Sequence, residues 1–249
     1  MRILVALFCL VSCGARAESI FPDNDLHLYD NINSKAGIDE STFNQVIAAG
    51  EDSYAKAEAV QRKEKLVVNR KWSEKIINAN VNRDKKYEGT VEINMYGGLA
   101  RRQEITPAGF AIVLCHELGH AYAGQPYVYT PTELSAEGMS DWYSTRHCLK
   151  RIWERVPKLQ QLAASYEPFI EENCVPNDSL CRNGLEGARG LTNLLGFILG
   201  DDELAAFETP DETVVSKTVL SYPATVQCRL DSYAAGVFGQ HRPRCWFAP

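Results

Sequence analysis

The stretch Cys115-His116-Glu117-Leu118-Gly119-His120-Ala121 constrains this chain more than any other. Two of the chain's five histidines fall in it, four residues apart. On a helix that spacing turns the two side chains about 40° from one another, so they share a face. Two imidazoles on one face can be two of the three protein ligands of an open zinc site. Glu117 lies about 100° round, able to reach a metal-held water without ligating the ion. The local sequence supports a helix here. Thr106 is an N-cap, Pro107 fits the first helical position, and Gly124 and Pro126 end the run. Gly119 costs about 1 kcal/mol in a helix relative to Ala. Its use is therefore sought in the close approach of a neighbouring element.

His116, Glu117 and His120 form the His-Glu-x-x-His pattern of zinc hydrolases. Such a site needs one more ligand. Thr130-Pro131-Thr132-Glu133 reads as a capping box that opens a second helix. On that helix Glu137 and Asp141 are again four apart and share a face. Glu137 would complete a His₂Glu tripod, leaving one position for water. Asp141 would hold the second ring nitrogen of a ligating histidine.

Residues 1–17 read as a targeting segment. Arg2 is basic, Ile3 to Val11 is apolar, and Ala15-Arg16-Ala17 is a cleavage site before Glu18. Leu10-Val11-Ser12-Cys13 also admits a bacterial lipoprotein signal, with a lipid anchor at Cys13. Both readings export the protein, to the periplasm or medium or to a lipid-anchored place on the envelope. Of eight cysteines, six lie beyond the segment. An even number in an exported chain points to disulfides, with 15 pairings open. Cys174 with Cys181 and Cys228 with Cys245 are the local choices. They leave Cys115 with Cys148, between the two site helices. Losing Arg2 and Arg16 takes the formal charge from −6 to −8, which argues against nucleic acid as a partner.

The 18–249 remainder is long enough to bury the core of one domain. Residues 18–38, rich in Asp, Asn and Pro, read as loop. A helix is expected over 40–62 with Ser41 as cap, followed by strands over 66–72, 77–82 and 91–96, with Gly97-Gly98 stopping the last. Asn94, Tyr96 and Gly97 are candidates for a substrate-facing rim. Helices are expected over 158–172, 184–199 and 225–238. The fold class is α+β and zincin-like. A small antiparallel or mixed sheet precedes the motif helix (18–126), and a mostly helical part carries the third ligand (127–249). No stretch beyond the leader is long and apolar enough to be a membrane span.

Over residues 88–150 the chain resembles the gluzincin group of zinc peptidases. The resemblance rests on His116-Glu117-Leu118-Gly119-His120 and Glu137-Gly138-Met139-Ser140-Asp141. It implies one Zn²⁺ held by His116, His120 and Glu137, with Glu117 as general base and Asp141 beside the first histidine. Ser221-Tyr222-Pro223 with Arg229-Leu230-Asp231 is similar to the His-Pro…Arg region of the family that includes the CAAX prenyl endopeptidase and HtpX-type proteases. Tyr222 stands where that family has His, and from this position it is the first candidate for an oxyanion donor. Arg229, Tyr143 and His147 are the others. The expected function is an exported zinc endopeptidase acting on a protein or peptide. The same residues admit a non-catalytic, zinc-stabilised binding or chaperone-like envelope protein, or a disulfide-held module without metal.

Overall fold

The computed structural model describes residues 18–29, 37–84, 89–162, 167–201, 203–222 and 225–249. The leader with Cys13, and Pro223, lie outside them. The fold is α+β. A four-stranded mixed sheet runs in the order β1-β3-β4-β2. β1 (Glu18–Ser19) and β3 (Ala79–Arg83) are antiparallel, as are β3 and β4 (Thr90–Tyr96), whereas β2 (Lys65–Lys71) and β4 are parallel. Val91, Ile93 and Met95 of β4 and Ala79 and Val81 of β3 are buried on one face, as alternation demands. The other face carries an amide ladder. Asn69 donates to Asn94, Asn94 donates to Asn80, and Asn80 donates to the Tyr96 hydroxyl.

That ladder corrects one expectation. β4 is an inner strand, so Asn94 and Tyr96 are engaged within the sheet and form no rim. Gly97 starts α2 (Gly97–Ala100) and is buried. The strand beside the histidine helix on the outer side is β3, and its edge is covered by β1.

The buried sheet face packs on α3 (Pro107–Tyr122), the motif helix. Thr106 accepts from the Gly109 N–H and Pro107 takes the first position, as expected. Arg83 at the end of β3 is fully buried and fixes sheet to helix. Its guanidinium donates to the carbonyls of Ala121, Thr132 and Glu133. The Ala121 carbonyl belongs to the last turn of α3, where a cation also meets the negative end of the helix dipole.

α1 (Glu40–Tyr54) packs against α3 and against β2. It is capped by Asp39, which accepts from the Thr42 N–H at 2.7 Å, rather than by Ser41. The Ser41 hydroxyl accepts from Gln45 instead. The expected second site helix starts later than Thr130. Residues 130–133 are the turn of a small hairpin, β5 (Tyr127–Tyr129) with β6 (Leu134–Ser135), and the helix α4 is Glu137–Tyr143. The turn is held from outside: Arg83 takes the Thr132 and Glu133 carbonyls that a helix would use internally.

After α4 come one π-helical turn (Ser144–Cys148) and α5 (Leu149–Trp153). The helix expected over 158–172 is instead a 3₁₀ turn (Pro157–Gln160) and, further on, α6 (Pro168–Asn173). Pro168 disfavours helix at Glu167, which is extended at φ −129° and ψ 113°. α7 (Ser179–Leu199) and α8 (Val226–Phe238) complete the helical layer.

Three disulfides join Cys115 to Cys148, Cys174 to Cys181, and Cys228 to Cys245. No helix among the described residues is long and apolar enough to cross a membrane. Cys115–Cys148 closes 33 residues between α3 and the end of the π-helical turn. A loop of that size stabilises by about 3–4 kcal/mol through the unfolded state. The Cys115→Ala/Cys148→Ala double variant should therefore melt roughly 10 °C lower. Calorimetry under non-reducing conditions checks this.

Candidate metal centre

α3 presents His116 and His120 on one face, as the four-residue spacing dictates. The two Nε2 atoms are 3.0 Å apart. α4 brings Glu137 to the same point. Its Oε2 lies 3.3 Å from His116 Nε2 and its Oε1 3.4 Å from His120 Nε2. The three side chains are at most 1 % exposed.

Gly119 makes this convergence possible. A Cβ there would sit 3.0 Å from Ser140 Cα and 3.2 Å from the Ser140 carbonyl oxygen. The missing side chain is what lets α4 lie against α3 one residue from His120.

The outer nitrogens of both rings are held. His120 Nδ1 is 2.6 Å from the Ser135 carbonyl, an acceptor only, so it carries the proton. His116 Nδ1 is 2.8 Å from Asp141 Oδ1. This orients both Nε2 lone pairs toward each other and toward Glu137. Asp141 is held in turn by Arg229 of α8. Arg229 Nε donates to Oδ2 at 2.8 Å and Nη2 to Oδ1 at 2.6 Å, a bidentate pair. Arg229 Nη2 is also 3.8 Å from Glu137 Oε2.

Electrostatics sharpen the geometry. Burial pushes the Glu117 carboxyl up to about 7, against the pull of the two histidines. Burial would raise Glu137 too, but the histidines hold it well below the usual carboxylate range. Asp141 is likewise held down, chiefly by Arg229 against the effect of burial. Burial pulls His116 down, yet Asp141 and Glu137 outweigh it and raise the ring to about 9.

A divalent ion fits these residues. Glu117, Glu137 and Asp141 are three fully buried carboxylates, and Arg229 is the one buried guanidinium against them. With both imidazoles neutral, as ligation requires, two further positive charges would balance the set, in place of the protons the histidines hold without metal. Both Glu137 oxygens and Glu117 Oε2 are buried without a hydrogen-bond partner among the described residues. A tetrahedral ion with ligands at about 2.0–2.1 Å sets them about 3.3 Å apart. That matches the 3.0, 3.3 and 3.4 Å edges found here. His116, His120 and Glu137 are thus the residues that could hold a metal.

The four oxyanion candidates separate. The Tyr222 hydroxyl reaches the centre's edge and donates to the Ser19 carbonyl at 2.6 Å. Arg229 is inside the site, tied to Asp141. Tyr143 is not brought in: its hydroxyl is 3.0 Å from that of Tyr54, in the core. His147 is exposed and lies against the Trp142 and Tyr143 rings.

Two participants escaped the sequence reading. One is the Ser135 carbonyl, a backbone group without a sequence signal. The other is the segment after Glu18, whose Ile20 N–H donates to Glu117 Oε1 at 3.1 Å. Ser19 and Ile20 meet partners 97 to 209 residues away, so no local pattern marks them.

Glu137→Gln should cut bound metal from one per chain to a small fraction, read by elemental analysis after dialysis. Gly119→Val should push α4 away and weaken metal affinity at least tenfold, with the helical circular dichroism spectrum kept. Unchanged affinity in the valine variant would show that the close approach is not what sets the tripod. No protein-family model, curated protein or solved structure matches the chain.

Proposed function

We propose that this protein is an exported zinc-dependent peptidase with a zincin-like fold and a gluzincin-type site. The observation that carries the reading is the buried meeting of two imidazoles and one carboxylate beside a fourth group, Glu117, whose pKa lies near neutrality. Glu117 Oε1 accepts from the Ile20 N–H, but Oε2 is buried without a hydrogen-bond partner among the described residues. Such a cost is typical of groups kept for chemistry.

In this reading His116, His120 and Glu137 hold zinc, which when bound polarises a carbonyl and makes a water acidic near pH 7. The protein's own groups do the rest. Glu117, with a pKa of about 7, takes a proton from the attacking water and returns it to the leaving nitrogen. A carboxyl raised toward neutrality can take a proton in the first half of the reaction and give it back in the second. Tyr222 stays protonated because burial raises its pKa further. It can therefore donate to an oxygen that gains charge. Arg229 orients Asp141, and Asp141 orients His116, so this chain of bonds fixes the tripod rather than the substrate.

Three disulfides and the lack of a membrane-crossing helix among the described residues are compatible with export. They agree with the reading of residues 1–17 as a leader. The substrate in this proposal is a protein or peptide in extended form.

Glu117→Gln preserves shape and removes the base. It should retain one zinc per chain and lose at least 10³-fold in hydrolysis of denatured casein. A glutamine variant that cleaves at the unmodified rate would exclude Glu117 from the chemistry. Tyr222→Phe should lower kcat by about 10²-fold with little change in KM.

A further inference from the structure

The centre is not open to solvent on the β3 side. The chain's own residues Glu18 to Phe21 run through it. Glu18 pairs with Val81 and Ser19 with Asn80, so this strand lies antiparallel on the edge of β3. An extended peptide docking on a sheet edge takes this arrangement.

Each polar atom around one peptide bond has a partner of the kind hydrolysis needs. The Ser19 carbonyl oxygen accepts from the Tyr222 hydroxyl at 2.6 Å. The Ile20 N–H donates to Glu117 Oε1 at 3.1 Å and is shared with the Ala79 carbonyl at 3.3 Å. On the amine side the Ile20 carbonyl accepts from Arg229 Nη1 at 2.6 Å. The Asn78 amide brackets Phe21, accepting from its N–H at 3.2 Å and donating to its carbonyl at 3.1 Å. Ile20 and Phe21 are 0 % and 1 % exposed. An oxygen on a proton donor and a nitrogen on a general base are the two ends of a bond about to be cut.

We propose that the Ser19–Ile20 peptide bond is a substrate of this protein's own site, cleaved within the same chain. The inference rests on the peptidase reading above and names its first substrate. In the step, a water oxygen bonds to the Ser19 carbonyl carbon while Glu117 takes the water proton. The carbon–nitrogen bond to Ile20 breaks as Glu117 hands that proton to the Ile20 nitrogen. The second water proton leaves the new carboxyl for the amine, so Ser19 ends as a carboxylate and Ile20 as an ammonium group, with one water consumed.

The two products are held unequally. Upstream of the cut, the piece pairs with β3 over two residues, takes the Tyr222 hydroxyl at the Ser19 carbonyl, and donates from the Ser19 hydroxyl to the Phe21 carbonyl at 3.0 Å; once the bond is cut, that piece leaves. Downstream, the buried Ile20 and Phe21 side chains with Arg229 and Asn78 keep the new terminus in place. The protein after cleavage begins at Ile20, with its amine beside Glu117.

The test uses the full chain, prepared without metal and then given one equivalent of zinc, with intact mass followed over time. The expected result is a species beginning at Ile20 that forms at a first-order rate independent of protein concentration. Chelator or Glu117→Gln abolishes it, and Tyr222→Phe slows it about 10²-fold. Before zinc is added, hydrogen exchange of the peptide that contains Ile20 and Phe21 should be protected at least 10²-fold over an unfolded chain. Exchange at the unfolded rate overturns the seating of the strand. A Ser19–Ile20 bond that stays intact after zinc has bound overturns self-cleavage, as does a rate that rises with protein concentration. If denatured casein is hydrolysed while that bond stays intact, this inference alone falls. If the chain takes up no zinc and cleaves neither, the peptidase reading falls with it.

Discussion

Three carboxylates buried together are the constraint around which this structure is built. Removing even one carboxylate from water costs several kcal/mol unless a partner compensates. Glu117, Glu137 and Asp141 are at most 1 % exposed, and Arg229 supplies one positive charge among them. The rest of the architecture can be seen as the means of holding this group together. α8 delivers Arg229, Gly119 lets α4 approach α3, and the Cys115–Cys148 bond ties α3 to the segment that follows α4. Arg83, a second buried cation, locks the end of α3 to the sheet and to the hairpin that supplies the Ser135 carbonyl.

The same constraint explains why the helices and not the sheet carry the buried charges. The sheet's outer face is given over to the Asn69–Asn94–Asn80 ladder, and its inner face to aliphatic side chains. Its contribution to the site is an edge. That edge, on β3, positions backbone rather than side chains, and the chain's own first strand lies on it. The structure thus separates two parts: α3, α4 and α8 hold the buried charges, and β3 carries the chain's own first strand beside them.

Much of this was legible in the sequence because it is local. The histidine spacing, the Thr106-Pro107 start, the alternation in β4 and the short-range cysteine pairs all report on neighbours within a few residues. The third disulfide followed by elimination. What could not be read depends on distant partners. Thr130 to Glu133 has the composition of a capping box, yet Arg83 claims its carbonyls and it becomes a hairpin turn. Ser19 to Phe21 looks like loop because two residues of strand leave no period. Tyr143 and His147 have suitable chemistry, but the π-helical turn and the packing on Tyr54 take them elsewhere. Arg229 could be suspected, though not its bidentate grip on Asp141, 88 residues away.

X-ray absorption at the zinc edge of the metal-loaded protein reads the atoms around the ion without reference to any substrate, and so probes the His116–His120–Glu137 tripod itself. The expected spectrum is that of one zinc per chain with two imidazole nitrogens and carboxylate or water oxygens at about 2.0–2.1 Å. A sulfur scatterer at about 2.3 Å, a single imidazole, or a protein that binds no zinc would contradict it.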